Sequence, residues 1–74
     1  GKAEVLEILL KETSAVCNIP LQNLNIRKNT LICCIYRNHQ VIVPRGQDCM
    51  MPGDSVMIAT SGYNISDIKE ILED

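Results

Sequence analysis

The clearest pattern in the sequence is a series of short apolar runs separated by polar turns. Residues 31–37 are a continuous run of β-prone residues that predicts a strand. Residues 55–60 are an apolar run that predicts a buried strand. Residues 4–10 are apolar with acidic residues between them, a pattern that we interpret as a strand rather than a short helix. Residues 40–43 predict a further strand that ends at Pro44, because proline cannot donate a hydrogen bond to a neighbouring strand.

Two tight turns are predicted between these runs. Asn38 and His39 both tolerate a positive φ angle, so they favour a two-residue hairpin turn between residues 31–37 and 40–43. Pro52 followed by Gly53 is the pair that a type II turn favours, since proline fixes its own φ and glycine accepts a positive one. The turns and runs together predict a small mixed or antiparallel sheet.

Helices are expected on either side of the central strands. Pro20 is followed by leucines at a spacing that predicts a short helix of about two turns at most, located after the first strand. Near the C-terminus, Asn64 or Ser66 is a candidate N-cap for an amphipathic helix. The fold class predicted from the sequence is therefore α+β. The apolar positions of the C-terminal helix recur every three or four residues, at Ile65, Ile68, Ile71 and Leu72.

The length of the chain predicts one domain spanning residues 1–74. A core this small stabilises a fold by only a few kcal/mol, so self-association is expected. The alternative is a stable monomer, because many domains of roughly 55 to 65 residues fold alone. The sequence starts with Gly1 and Lys2 rather than methionine, which suggests a piece of a larger protein. No apolar run reaches the roughly 20 residues needed to cross a bilayer, and no signal peptide is predicted.

Composition and charge argue against nucleic acid as a partner. The net charge is −2, and the only aromatic residues are Tyr36 and Tyr63. Proteins that hold single-stranded nucleic acid combine a basic groove with several aromatic stacking platforms. This chain has neither feature.

The residues that could carry chemistry do not predict an enzyme. His39 is the only histidine and lies at a predicted hairpin tip, and no glycine-rich phosphate-binding motif is present. Cys33 and Cys34 are adjacent in a predicted strand, so their side chains should point to opposite faces rather than to one metal ion. We favour reduced, buried thiols, typical of a cytosolic protein, over disulfides. A cysteine-based metal-binding domain remains the less favoured alternative.

Two groups of basic residues are candidates for an anion site. Arg27 and Lys28 precede the central strand, while Arg37 and Arg45 flank the hairpin. These side chains are either solvated surface cations or a binding site for an anionic small molecule. The second interpretation requires that sheet pairing, or a two-fold axis between two copies, bring them together.

The order of these motifs resembles that of a known family. Residues 20–26 read PLQNLNI, residues 31–46 read LICCIYRNHQVIVPRG, and residues 51–58 read MPGDSVMI. In sequence and spacing these segments, with the predicted closing helix, resemble the TrkA C-terminal domain, also called the RCK C-terminal domain. The resemblance covers essentially the whole chain.

The resemblance implies a regulatory function. Such domains are cytosolic and follow a Rossmann-like nucleotide-binding domain in Trk and Ktr potassium-uptake systems, where they form homodimers and bias a membrane transporter subunit. No cofactor is expected in this domain itself. In some members cyclic di-AMP binds at the dimer interface, so cyclic di-AMP or another anionic nucleotide is the implied ligand. By resemblance, the ligand-facing positions are Ile26, Arg27, Ile32, Cys34, Arg37 and Pro44.

One departure from the family pattern leaves a second interpretation open. Only Lys28, Asn29 and Thr30 separate the Ile-Arg pair from the central strand, whereas many ligand-binding relatives have a longer linker. The shorter form is similar to the C-terminal domains of TrkA-type subunits. The alternative is therefore a pure assembly module that binds no ligand.

Overall fold

The part of the chain described by the computed structural model, residues 3–73, contains one four-stranded antiparallel sheet. Its spatial order is β1-β4-β2-β3, so the last strand lies between the first and the second. The predicted strands are confirmed within one residue at each end. The strands are β1 (Ala3–Leu9), β2 (Thr30–Arg37), β3 (Gln40–Ile42) and β4 (Ser55–Ser61).

Both predicted turns are confirmed by the backbone. Asn38 and His39 have φ angles of 50° and 64° and connect β2 to β3 as a two-residue hairpin. Gly53 has a φ of 90° in the turn that leads into β4. These conformations explain the residue types, because asparagine, histidine and glycine adopt positive φ more readily than other residues.

The predicted α+β class is wrong, because residues 3–73 contain no α-helix. After Pro20 the chain forms a 3-10 turn of three residues, Leu21–Asn23, in place of the short helix. The expected C-terminal amphipathic helix is a 3-10 turn of four residues, Ile68–Ile71. The described chain is a mostly antiparallel β-fold with two 3-10 turns.

Backbone pairing with an earlier segment ends the C-terminal turn. Asp67, rather than Asn64 or Ser66, is its N-cap, and its side chain accepts a hydrogen bond from the backbone N–H of Lys69. Leu72, directly after the turn, is already extended and forms an antiparallel bridge with Ile26. A 3-10 turn also places residues three positions apart on one side, so the isoleucine spacing fits it as well as an α-helix.

The core lies on one face of the sheet. Val56 and Ile58 of β4 and Ile35 of β2 have no exposed surface, and the loops and the C-terminal segment cover them. The loop residues in this cover include Val16 and Met50, which are also fully buried. The C-terminal residues are Ile65, Ile68 and Ile71. No helix within residues 3–73 is long and apolar enough to cross a membrane.

Candidate functional site

Arg37, a predicted ligand residue, forms an ion pair at the end of β2. Its Nε lies 2.8 Å from Oδ1 of Asp54, and its Nη2 lies 2.7 Å from Oδ2. Nη2 also donates to the backbone oxygen of Cys49 at 2.9 Å. The Asp54 carboxylate is 1% exposed and accepts a further hydrogen bond from the backbone N–H of Met51. The hydrogen bonds from Arg37 lower the pKa of Asp54, and the backbone bond adds to the effect.

Arg27, the other predicted arginine, stacks on an aromatic ring. Its guanidinium carbon lies 3.7 Å from the centroid of the Tyr63 ring, a cation–π arrangement. The backbone N–H of Arg27 donates to the oxygen of Ile71 at 2.8 Å, and the Tyr63 hydroxyl hydrogen-bonds with the hydroxyl of Thr30. No carboxylate of residues 3–73 forms an ion pair with Arg27, since the ion pair within that range is Arg37–Asp54. The Arg27 guanidinium is thus oriented while its charge remains available to an anion.

The two arginines do not converge within one chain. Arg27 precedes β2 and Arg37 is its last residue. With a rise of about 3.3 Å per residue, the strand holds the two ends roughly 23 Å apart. One ligand cannot contact both guanidinium groups of the same chain unless it is about as long as the strand.

The other predicted ligand residues are spread over both faces of the sheet. Ile26 pairs with Leu72, and both pack against the core. Ile32 is opposite Ile58 on the core-facing side, whereas Cys34 is opposite Met57 on the other side because a bulge shifts the register between them. Pro44 follows β3, which runs back along β2 from the hairpin.

A shallow cleft lies beside Arg27, with a volume of about 530 Å³. Lys69 contributes a second cation to its wall, and Glu70 and Glu73 contribute two acids. The Glu70 carboxylate accepts the backbone N–H groups of Ser66 and Asp67. The pKa of Glu70 is lowered by the bonds from Ser66 and Asp67.

The second feature of functional interest is the sheet face opposite the core, which we call the outer face. Most of its side chains are apolar, yet Val5, Leu31 and Val41 are each more than 60% exposed. The register places Val5, Ala59 and Leu31 side by side across three strands. None of residues 3–73 covers this surface as a second layer. Beside Cys34, Glu7 and Ser55, the outer face carries Val5, Leu9, Leu31, Tyr36, Val41, Met57 and Ala59.

Polar groups on the outer face are few. Glu7, opposite Met57, accepts a hydrogen bond from the hydroxyl of Ser55. A hydrogen bond with Cys34 raises the pKa of Tyr36. The sequence indicated the strands but not this surface, because a run that is apolar at every position gives no sign of which face is covered.

The cysteines are free thiols in the structure. Cys17 is buried, and this burial raises the pKa of its thiol, with a smaller contribution from the charge of Asp54. Cys33, Cys34 and Cys49 are partly exposed. Between residues 3 and 73, no group of three or more His, Cys, Asp and Glu side chains is arranged to hold a metal ion.

The chain matches known proteins over almost its whole length. Residues 5–73 match the TrkA-C domain. A "Trk system potassium uptake protein TrkA homolog" from Archaeoglobus fulgidus is 31% identical over 71 residues, which are 96% of this chain and 16% of that relative. A protein of the same description from Pyrococcus abyssi is 26% identical over 72 residues, which are 96% of this chain and 32% of that protein. The chain thus spans less than a third of either relative.

A solved structure shares the fold. It is described as "Structure of RCK domain with cda" and superposes with a TM-score of 0.70 at 27% sequence identity. The alignment covers 93% of this chain and 97% of that one. These matches confirm the resemblance drawn from the sequence motifs: the chain belongs to the TrkA-C domain family.

Proposed function

We propose that this domain regulates a potassium-uptake system by pairing with a second copy of itself through the outer face and by sensing an anionic nucleotide. In this role it works in the cytoplasm, next to a Rossmann-like nucleotide-binding domain, and biases the state of a membrane transporter subunit. It acts through conformational coupling rather than through catalysis. Membership of the TrkA-C family and the names of the relatives support a regulatory role.

The observation that carries the pairing is the uncovered outer face. Val5, Leu31 and Val41 expose apolar surface on three strands, and stable soluble domains seldom leave such a surface without a partner. The charge on this face, Glu7, is on the edge strand β1 and already accepts a hydrogen bond from Ser55. A two-fold axis through the central strands would therefore pack apolar side chains against their own copies and keep the two carboxylates off the axis.

Arg27 is the residue best suited to contact the anion. Its guanidinium is aligned on Tyr63 and makes no ion pair within residues 3–73. Cyclic di-AMP is the proposed ligand, and the similar RCK domain described with cda supports that choice. Pairing of two chains would supply one Arg27 from each copy. We propose the same ligand-contacting residues that the family resemblance implies, namely Ile26, Arg27, Ile32, Cys34, Arg37 and Pro44.

One observation favours the alternative, a pure assembly module. Arg37 already donates to both carboxylate oxygens of Asp54 and to the Cys49 carbonyl. Through these bonds Arg37 stabilises the fold, and this role requires no ligand. Under this alternative the domain pairs through the same outer face but responds to no nucleotide.

The test is the mass of the chain in solution, measured by light scattering over a dilution series. We expect a dimer that Leu31→Asp disrupts, because a carboxylate there would be buried against the partner. Asn64→Asp adds the same charge at an exposed site away from the outer face and should leave the mass unchanged. A monomeric wild-type chain at high micromolar concentration would contradict the pairing.

The ligand is tested by repeating the measurement with cyclic di-AMP, ATP and NADH. A bound nucleotide raises the stability of the folded chain by about 2.7 kcal/mol at a hundredfold excess over its dissociation constant. We expect cyclic di-AMP to raise the melting temperature of the wild-type chain but not of Arg27→Ala. A dimer that is indifferent to all three compounds would select the assembly alternative.

A further inference from the structure

A second cleft lies between the end of β1 and the segment that enters the C-terminal 3-10 turn. Its volume is about 470 Å³, within the range of small-molecule sites. Leu9 and the loop after β1 form one wall, and residues 66–69 form the other. Arg27 does not line this cleft, so it is separate from the cation stacked on Tyr63.

Two lysines give the cleft its charge. Lys11 and Lys69 both line it, are exposed, and make no ion pair with any carboxylate of residues 3–73. Asp67 is the acid in the lining, and one of its carboxylate oxygens accepts the backbone N–H of Lys69 at 3.1 Å as the N-cap. The cleft therefore has one more cation than acid, in a chain whose net charge is −2.

Hydroxyl side chains line the same cleft as these lysines. Ser14 lines the cleft, and its Oγ accepts the backbone N–H of Lys11 at 3.2 Å. The backbone N–H of Ser14 in turn donates to the Lys11 oxygen at 3.0 Å, so the two residues are held in one tight turn. Because the Ser14 oxygen acts as an acceptor in that turn, its own proton is available to donate to a ligand. Thr13 adds a second hydroxyl to the lining.

We propose that this cleft binds a small organic phosphate. A phosphate group presents three acceptor oxygens and up to two negative charges, which match two ammonium groups and a hydroxyl donor better than a single carboxylate does. The apolar side chains of Ile8 and Ala15 provide a surface for the organic part of the ligand. The inference does not rest on pairing through the outer face, and it concerns none of the six proposed nucleotide contacts.

The experiment is a titration of the ¹⁵N-labelled chain followed by NMR. The probes are AMP and glucose 6-phosphate, with inorganic phosphate and uncharged adenosine as controls. We expect saturable shifts of the amide signals of Lys11, Ser14 and Lys69 with the two organic phosphates, and none with adenosine. The organic phosphate with the lower dissociation constant shows which organic group the cleft prefers.

Variants separate this site from the other cations. Lys11→Gln should weaken binding by about tenfold, the usual effect of losing one charge-assisted hydrogen bond. Lys28→Gln removes an exposed lysine outside the cleft and should change the affinity by less than about twofold. Arg27→Ala should likewise leave this binding intact while removing the response to cyclic di-AMP.

Two results would overturn the inference. One is the absence of saturable shifts up to about 10 mM of either organic phosphate, a concentration that detects even millimolar binding. The other is an equal loss of affinity in Lys11→Gln and Lys28→Gln, which would mean nonspecific attraction to surface charge. Neither result depends on the mass of the dimer. The proposed function is therefore tested independently of this inference.

Discussion

Arg37 and Asp54 are 17 residues apart in sequence, yet their side chains meet through two hydrogen bonds of 2.8 and 2.7 Å. Arg37 ends β2, and Asp54 immediately precedes β4. The carboxylate also accepts the backbone N–H of Met51, so one nearly buried group holds both a strand end and the turn before the next strand. The pair thus connects the hairpin end of the sheet to the loop that covers the core.

Removing the arginine should destabilise the domain strongly. Arg37→Ala leaves a carboxylate that is only 1% exposed without its ion-pair partner, and such a loss costs about 3 kcal/mol or more. Urea unfolding followed by circular dichroism measures the change in the free energy of unfolding. Arg45→Ala, which removes an exposed arginine, should change it by less than about 0.5 kcal/mol. Equal effects of the two variants would contradict a structural role for the ion pair.

Stability should depend on pH through Asp54. Its pKa in the folded state is lowered, chiefly by Arg37, so the unfolded chain binds the proton more tightly. The stabilisation is therefore fully present above the unfolded-state pKa of about 4 and is lost as the pH falls through the lower folded-state value. The free energy of unfolding of the wild type should fall as the pH drops below about 4.

Asp54→Asn isolates the contribution of that one carboxyl. The lowered pKa of Glu70 also makes the stability depend on pH, so the difference between wild type and variant is the relevant quantity. We expect the difference in the free energy of unfolding between the wild type and Asp54→Asn to become smaller as the pH falls. If the variant does not fold, direct NMR titration of the Asp54 carboxyl in the wild type replaces the comparison. A folded-state pKa at or above 4 would then contradict the prediction.

Tyr63 should act on Arg27 through its ring rather than through its hydroxyl. Tyr63→Phe keeps the ring under the guanidinium and removes the hydrogen bond with Thr30, whereas Tyr63→Leu removes both. The cation–π contact contributes about 0.5–1 kcal/mol at partly exposed sites. We expect Tyr63→Leu to weaken nucleotide binding several-fold more than Tyr63→Phe, measured by calorimetry. Equal affinities of the two variants would mean that the ring does not orient Arg27.

The strands and turns could be predicted because their signals are local. A few neighbouring residues are enough to predict the backbone conformation in three places: the run at residues 31–37, the Asn38–His39 turn and the Pro52–Gly53 pair. The C-terminal helix was predicted wrongly because the spacing of Ile65, Ile68 and Ile71 fits a 3-10 turn equally well. What ends that turn is pairing with Ile26, a distant contact that no local pattern reveals.

The candidate site was predictable only as a set of residue types. Arg27 and Arg37 were identified as the relevant cations, but their partners depend on the fold. Asp54 follows the predicted Pro52–Gly53 turn, and its pairing with Arg37 follows from the register of β2 beside β4. Tyr63 reaches Arg27 because the chain after β4 returns alongside residues 25–27.

The position of β4 between β1 and β2 has a consequence for synthesis on the ribosome. Within residues 3–73, β1 pairs only with β4, and β2 pairs with both β4 and β3. The β2–β3 hairpin can therefore close as soon as it emerges, but β1 has no neighbour until residues 55–61 have left the exit tunnel. β1 therefore joins the sheet only when β4 does, and the domain acquires its fold only when translation of nearly all of it is complete.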